Sequence, residues 1–278
     1  MESGTIFRPI IKWAGGKTQL LAELCPRLPK SFECYHEPFI GGGAVFLATA
    51  PDRAIINDIN PQLVNLYRQI RDNVTDFIDI LQTEDSAKCD KEYYYSVRAR
   101  YNSKIQNNVL DVETAALLVW CNKHCFNGLY RVNSKGLFNV PYNNKITGSS
   151  FDKDNVLAIS AYLNRGDISI DNTDFEKACE QVKPGDLVYL DPPYVPVSTT
   201  ADFTSYSKDG FSFYDHKRVA SVFRRLSDKG AYVIATNNNT PFVHELYEGF
   251  VIEPISVKRM INRDANKRTG KEVIIKNY

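Results

Sequence analysis

Asp186-Leu187-Val188-Tyr189-Leu190-Asp191-Pro192-Pro193-Tyr194 decides how this chain reads. The apolar run from Leu187 to Leu190 is short and bounded by Gly185 and Pro192, which predicts a buried strand. A proline has no N–H for the ladder, so the strand must end at Pro192. Open α/β sheets bind ligands beyond the carboxyl ends of their parallel strands, so Asp191, Pro192, Pro193 and Tyr194 are expected at the mouth of a site. Asp191 offers a carboxylate acceptor, and the double proline holds the Pro192 carbonyl in an extended pose. Tyr194 offers a flat face. Two fixed acceptors beside an aromatic ring suit a planar amine with two N–H donors, such as the exocyclic amine of a nucleobase. A strand-ending turn capped by Asp191 is the plainer alternative.

The N-terminal part carries a second signal. Cys34-Tyr35-His36-Glu37-Pro38-Phe39-Ile40-Gly41-Gly42-Gly43-Ala44 reads as a strand end, a glycine-rich turn and a helix over 44–48. Glycines there let backbone approach a ligand closely. Ile55 and Ile56 fit a second parallel strand that ends at Asp58, and an acidic residue in that place commonly accepts from ribose hydroxyls. Asp58 as a helix cap before Pro61 is the alternative. A third strand is predicted over 168–170, followed by Asp174 and Phe175. These two suit an adenine clamp or, equally, the cap and start of a helix over 175–181. Upstream, Trp13-Ala14-Gly15-Gly16-Lys17-Thr18 invites a phosphate-loop reading, but the first glycine of that loop falls on Ile11, so the match fails. Gly15-Gly16 is then a turn that lets Trp13 and Lys17 face a ligand, before a helix predicted over 18–28.

From Pro61 to about Lys145 the pattern changes to helices, predicted over 62–81, 91–105 and 112–125. This is a helical insertion between two halves of an α/β sheet. A β-hairpin turning at Ser134-Lys135-Gly136 follows, rich in aromatics, amides and basic residues. Arg can read guanine bidentately, Asn can read adenine, and Phe can wedge into a base stack. After the Asp-Pro-Pro-Tyr strand, 198–212 reads as a loop over the site, 214–229 as a helix and 231–235 as a strand ending in Thr236-Asn237-Asn238-Asn239. The segments 251–257 and 272–276 are expected to pair as an antiparallel hairpin. Between them Lys258, Arg259, Arg263, Lys267, Arg268 and Lys271 suggest phosphate contacts.

The chain has 278 residues, 43% hydrophobic and 24% charged, which describes an ordinary globular protein with a real core. A net charge of +1 means that any nucleic-acid affinity rests on local patches. The six cysteines form no C-x-x-C pair and the four histidines are dispersed, so no metal is expected. Reduced thiols, no membrane-spanning stretch and no signal peptide lead to the expectation of a cytoplasmic protein.

Four ordered motifs together resemble the Dam-type DNA adenine methyltransferases, in particular those that methylate adenine in GATC. They are Lys12-Trp13-Ala14-Gly15-Gly16-Lys17, Glu37-Pro38-Phe39-Ile40-Gly41-Gly42-Gly43, the segment from Asn127-Gly128-Leu129-Tyr130-Arg131 to Phe138-Asn139-Val140-Pro141, and Asp191-Pro192-Pro193-Tyr194. The resemblance runs nearly end to end. It implies a Rossmann-like, S-adenosylmethionine-dependent methyltransferase sheet with an inserted, mainly helical target-recognition domain and β-hairpin. The catalytic domain would be discontinuous, over 1–60 and 149–278, with target recognition over 61–148. The resemblance also implies S-adenosylmethionine as cofactor, held by Trp13, Lys17, Glu37, Phe39, Gly41, Gly43, Asp58, Asp174, Phe175 and Asp191. Asp191, Pro192, Pro193 and Tyr194 would form the catalytic set, acting on an adenine flipped out of the duplex. Lys12, Phe126, Asn127, Leu129, Arg131, Asn139 and Pro141 match the family's DNA-contacting positions, with Lys12 and Arg131 toward guanine and Phe126 as a wedge. The implied partner is double-stranded DNA, with no metal and no membrane; the protein would be a monomer in solution, from a bacterium or phage. One departure stands out: members commonly continue Pro-[Phe/Tyr]-Gly-Arg-Tyr, whereas Asn143-Asn144-Lys145 follows Pro141-Tyr142 here. Alternatives at this point are another adenine-containing target site, another amine substrate such as cytosine, RNA or glutamine, a non-catalytic DNA-binding protein, and a phosphate-loop ATPase.

Overall fold

The computed structural model of the protein describes residues 7–145, 148–196, 210–258 and 269–278. In chain order a 3-10 turn, Lys17–Leu20, leads into α1 (Leu21–Leu24), β1 (Tyr35–Glu37), α2 (Ala44–Thr49) and β2 (Arg53–Asn57). Then come α3 (Pro61–Asp72), α4 (Val74–Ser86), α5 (Lys91–Gln106), α6 (Val112–His124), α7 (Lys153–Arg165) and β3 (Asp167–Asp171). The remainder is α8 (Phe175–Ala178), β4 (Leu187–Leu190), α9 (Phe213–Asp228), β5 (Tyr232–Asn238), α10 (Pro241–Leu246), β6 (Val251–Lys258) and β7 (Thr269–Lys276). This is a mixed α/β fold. The predicted loop over 198–212 and the basic cluster between Lys258 and Lys271 lie largely outside the described residues.

Two compact units are built from interleaved segments. The second unit comprises Lys17–Ile40, Pro51–Ile59 and Thr173–Tyr278, and its six strands pair in the order β2-β1-β4-β5-β7-β6. The pairs β1–β2, β1–β4 and β4–β5 are parallel; β5–β7 and β6–β7 are antiparallel. β4 is central and every one of its residues is buried, which is why its sequence is an unbroken apolar run rather than an alternation. The two C-terminal strands pair as the sequence suggests, but the hairpin enters the sheet through β7. Val273, Ile274 and Ile275 are fully buried, so β7 takes the interior place, while Pro254 in β6 fits an edge strand. One face of the sheet packs on α9 through Val219, Val222, Phe223 and Leu226, a helical i, i+3, i+4, i+7 stripe. A Ser212–Asp215 capping box starts that helix.

The first unit comprises Met1–Gly16, Gly41–Ala50 and Asn60–Asn172. Its centre is α6, where Thr114 through Asn122 are all buried and which packs against α3, α4 and α5. Only its ends, at Glu113 and Lys123, carry charged side chains toward solvent. Three segments differ from the local expectation. The helix predicted over 62–81 is two helices, because Asn73 leaves helical geometry at φ −137° and ψ 41°. The helix predicted over 18–28 is a 3-10, α and 3-10 succession, with Pro26 at the start of the last turn. The hairpin around Ser134-Lys135-Gly136 is reduced to isolated bridges, Val132 with Phe138 and Cys125 with Tyr142. Its turn does form, with the Gly136 N–H donating to the Asn133 carbonyl at 2.9 Å and Gly136 at φ +73°. α7 was not anticipated; its apolar positions Val156, Ile159, Tyr162 and Leu163 are too sparse to signal clearly in isolation.

Candidate active site

Asp191 follows β4 directly. Its side chain is 16% exposed, and its Oδ1 lies 2.8 Å from the Lys17 Nζ. The same oxygen accepts a hydrogen bond from the Thr236 hydroxyl at 2.7 Å. Burial pushes the Asp191 carboxyl above its ordinary range, and the Lys17 ammonium and Thr236 hydroxyl pull against that shift. Lys17 also sits 4.5 Å from the centre of the Tyr194 ring, a cation–π contact on one face. The Tyr194 hydroxyl donates to Glu272 Oε2 at 3.1 Å, and burial holds the phenol well above its normal pKa. Beyond the tetrad, Asn237 Oδ1 accepts from the Val195 N–H at 3.0 Å and Asn238 Nδ2 donates to the Val195 carbonyl at 2.6 Å. The acid, the ring and the backbone that follows them are thus fixed by the ends of β5 and β7.

The neighbouring strands end similarly. Glu37 closes β1 and Asp58 follows β2, so three adjacent parallel strands, β2, β1 and β4, each terminate in a carboxylate. Glu37 is 2% exposed and accepts from the Tyr35 hydroxyl at 2.7 Å. Asn57 ties these ends together: its Nδ2 donates to the Pro38 and Thr173 carbonyls at 2.9 and 3.0 Å, and its Oδ1 accepts from the Thr173 N–H at 2.9 Å. Phe39 and Phe175 pack with ring centres 5.2 Å apart. Asp174 caps α8 by accepting from the Glu176 N–H and pairs with Arg218 at 2.8 Å. Both the capping role and an outward-facing carboxylate belong to that residue.

Within the first unit Trp13 lies against the glycine-rich turn. Gly41 has φ +48°, and a Cβ there would stand 3.0 Å from Trp13 Cδ1, so any other residue would be strained. Gly43, at φ +68°, starts α2, and Trp13 packs on Tyr130 with ring centres 4.7 Å apart and planes tilted by 30°. The residues expected at DNA are gathered on one framework. Asn122 holds the Lys12 backbone at both ends, accepting from its N–H at 2.9 Å and donating to its carbonyl at 3.0 Å, and also donates to the Gly128 carbonyl. Gly128 has φ +64°, and a Cβ there would meet the Lys12 side chain at 2.6 Å. Phe126 is 51% exposed. Its N–H donates to the Pro141 carbonyl at 2.8 Å, and the Leu129 N–H donates to the Phe126 carbonyl. Asn127 takes a left-handed conformation at φ +56°. Arg131 Nε donates to Asn139 Oδ1 at 2.7 Å. Helix α5 braces this segment: Asn102 bonds both backbone groups of Phe138, and Tyr94 and Arg98 donate to the Val140 carbonyl.

Sequence reasoning missed Asn57, Asn122, Thr236 and Glu272. The stretch Thr236-Asn237-Asn238-Asn239 at a strand end was the one visible signal; its partner strand was not. Among the described residues no cluster of His, Cys, Asp and Glu is placed to hold a metal ion, and no helix is long and apolar enough to cross a membrane.

The family described as D12 class N6 adenine-specific DNA methyltransferase matches residues 13–261. A type II methyltransferase of Lactococcus lactis subsp. cremoris, M1.LlaDCHI, is 42% identical over 273 residues, which cover 98% of this chain and 95% of the relative. The type II methyltransferase M.MjaIII of Methanocaldococcus jannaschii is 39% identical, over 98% of this chain and 99% of its own. A DNA adenine methylase of Haemophilus influenzae is 32% identical, over 96% and 92%.

Proposed function

Because the chain belongs to the D12 class of N6 adenine-specific DNA methyltransferases, we propose that it methylates adenine within GATC in double-stranded DNA, using S-adenosylmethionine and a target base rotated out of the duplex. The observation that carries this reading is Asp191 at the end of β4, with Oδ1 engaged by Lys17 and Thr236 and the Tyr194 ring alongside. Both described contacts fall on one carboxylate oxygen, so Oδ2 is the acceptor for a ligand amine.

Adenine's amine is a poor nucleophile because its lone pair is drawn into the ring. Asp191 Oδ2 and the Pro192 carbonyl accept its two hydrogens, return density to nitrogen and favour tetrahedral geometry. The base stacks on the Tyr194 face opposite Lys17. Acceleration comes from positioning and aligned acceptors rather than from a strong base. When bound, S-adenosylmethionine supplies a methyl group on a positively charged sulphur. The residues present fit such a ligand: Glu37, Asp58 and Asp191, at the ends of three adjacent strands, suit its hydroxyls and positive charge. Phe39 and Phe175 suit its adenine ring, and Trp13, Lys17, Gly41, Gly43 and Asp174 complete the proposed set.

Residues 61–148 are proposed to recognise the target, with Lys12, Phe126, Asn127, Leu129, Arg131, Asn139 and Pro141 at DNA. A second reading keeps the chemistry but changes the site around the adenine, and the Asn143-Asn144-Lys145 departure favours it. One experiment separates the two. DNA from cells expressing the protein is cut with nucleases that require methylated or unmethylated GATC, beside an Asp191→Ala control. Protection at GATC, lost in the control, is expected. Methylated adenine found only in other contexts would defeat the GATC reading, and normal turnover by Asp191→Ala would defeat the acceptor reading.

A further inference from the structure

Leu190 of β4 pairs with Ala235 of β5, so the next residues, Asp191 and Thr236, come level just where β4 ends. Thr236 is fully buried. Its hydroxyl is 2.7 Å from Asp191 Oδ1 and 3.1 Å from the hydroxyl of Tyr189, which is itself fully buried. Thr236 has a single hydroxyl hydrogen. A carboxylate is a stronger acceptor than a phenol, so that hydrogen goes to Asp191 and Tyr189 must donate to Thr236. Tyr189 and Asp191 are two residues apart on an extended chain and so share a face. The result is a directed relay, Tyr189 to Thr236 to Asp191, which meets Lys17 on the same carboxylate oxygen.

We infer that Thr236 is a positioning residue for methyl transfer: with Lys17 it fixes the rotation of the Asp191 carboxylate, so that Oδ2 faces the target amine, while Tyr189 fixes the direction of the Thr236 hydrogen. This rests on Asp191 being the acceptor of that amine. A carboxylate turned about its Cβ–Cγ bond moves Oδ2 by a large part of an ångström, and such misplacement weakens the transition state more than ground-state binding.

The test compares Thr236→Val, which keeps shape and removes the hydroxyl, with Thr236→Ser, which keeps the hydroxyl. Thr236→Val should lower kcat by about ten- to a hundred-fold, with KM for duplex within about three-fold. The acid limb of its kcat profile should move to higher pH, because a hydrogen bond donated to the carboxylate favours the ionised form. Thr236→Ser should restore both kcat and the limb, and Tyr189→Phe should shift both in the direction of Thr236→Val. Wild-type kcat and an unmoved limb in folded Thr236→Val would overturn the inference, as would an equal loss in Val and Ser variants. If the Val variant does not fold, Tyr189→Phe decides: a wild-type profile there overturns it. Asp191→Ala keeps the two levels apart. An inactive Asp191→Ala beside a normal Thr236→Val sinks only this inference, whereas an active Asp191→Ala sinks the reading beneath it.

Discussion

At Asp191 opposing influences meet on one group. Burial raises the carboxyl's pKa, and the Lys17 ammonium at 2.8 Å lowers it again. Replacing Lys17 with Met removes the largest of the lowering influences, so the carboxyl protonates at higher pH. In the proposed mechanism the ionised form accepts hydrogen bonds from the amine, so kcat measured at saturating methyl donor should lose activity on the acid side earlier than wild type; an unmoved acid limb would contradict the role given to Lys17. In the segment proposed to contact DNA, Asn139 holds Arg131 twice, its Oδ1 accepting from Nε at 2.7 Å and its carbonyl from Nη2 at 3.4 Å, which fixes the guanidinium that the proposed reading turns toward a base edge. Arg131→Ala should therefore lose about 1–3 kcal/mol of discrimination at one guanine, read as the ratio of kcat/KM for cognate duplex over duplexes altered at that position. An unchanged ratio would reassign that residue. At this scale the sequence was informative where one residue type has a forced consequence. Pro192 must end a strand, and Asp191 therefore stands at its carboxyl end. Thr236 was legible only as part of a polar strand end; its contact with Asp191 was not, because that depends on β5 lying beside β4 in one particular register.

Elements were legible in proportion to how local their causes are. β4 was readable because an apolar run between Gly185 and Pro192 has one reasonable fate, and α5 and α6 because their residues follow a helical pattern; the aspartates that cap them, Asp90 and Asp111, emerge only in the structure. The Asp111 carboxylate accepts from the Thr114 N–H at 2.8 Å and pairs with Lys104 at 2.7 Å. Asp111→Ala should cost about 1 kcal/mol through the lost cap, with Thr114→Ala losing less. Chemical denaturation measures this directly, and a midpoint equal to wild type would remove Asp111 from the account. The division of α3 from α4 was illegible, since Asn73 is neither glycine nor proline and no strong breaker marks the point where the chain leaves helical geometry. The segment expected to form a hairpin around Ser134-Lys135-Gly136 was half legible. Its turn residues signalled correctly, but its arms are held mainly by Asn102, Tyr94 and Arg98 of α5 rather than by a ladder of their own. Only the tertiary structure reveals that.

Across the whole molecule, each unit draws on three separate stretches of chain. The change from strand to helix pattern at Pro61 was plain in the sequence, but nothing local to 153–172 states which unit those residues join. Buried titratable groups are likewise invisible until folding places them, and His216 is the case with a measurable consequence. It lies on α9 at 4% exposure, with Phe211 at 5.0 Å and Phe213 and Phe242 at 6.5 Å between ring centres. Burial lowers its pKa from 6.5 to about 4, against the weaker pull of Asp215. Above pH 6.5 the ring is neutral in both folded and unfolded chains, so it does not alter stability with pH. As pH falls from 6.5 toward 4, the unfolded chain takes a proton that the folded chain refuses, and stability is lost. The full shift corresponds to a loss on the order of 3 kcal/mol. His36, also lowered by burial, adds a similar trend but is present in any His216 variant. The difference between wild type and His216→Gln therefore isolates this one group. Urea midpoints at neutral and mildly acidic pH should fall more steeply for wild type than for the variant. Parallel decline of the two proteins would mean that the imidazole is charged inside the fold, and that the aromatic cage around it opens to water.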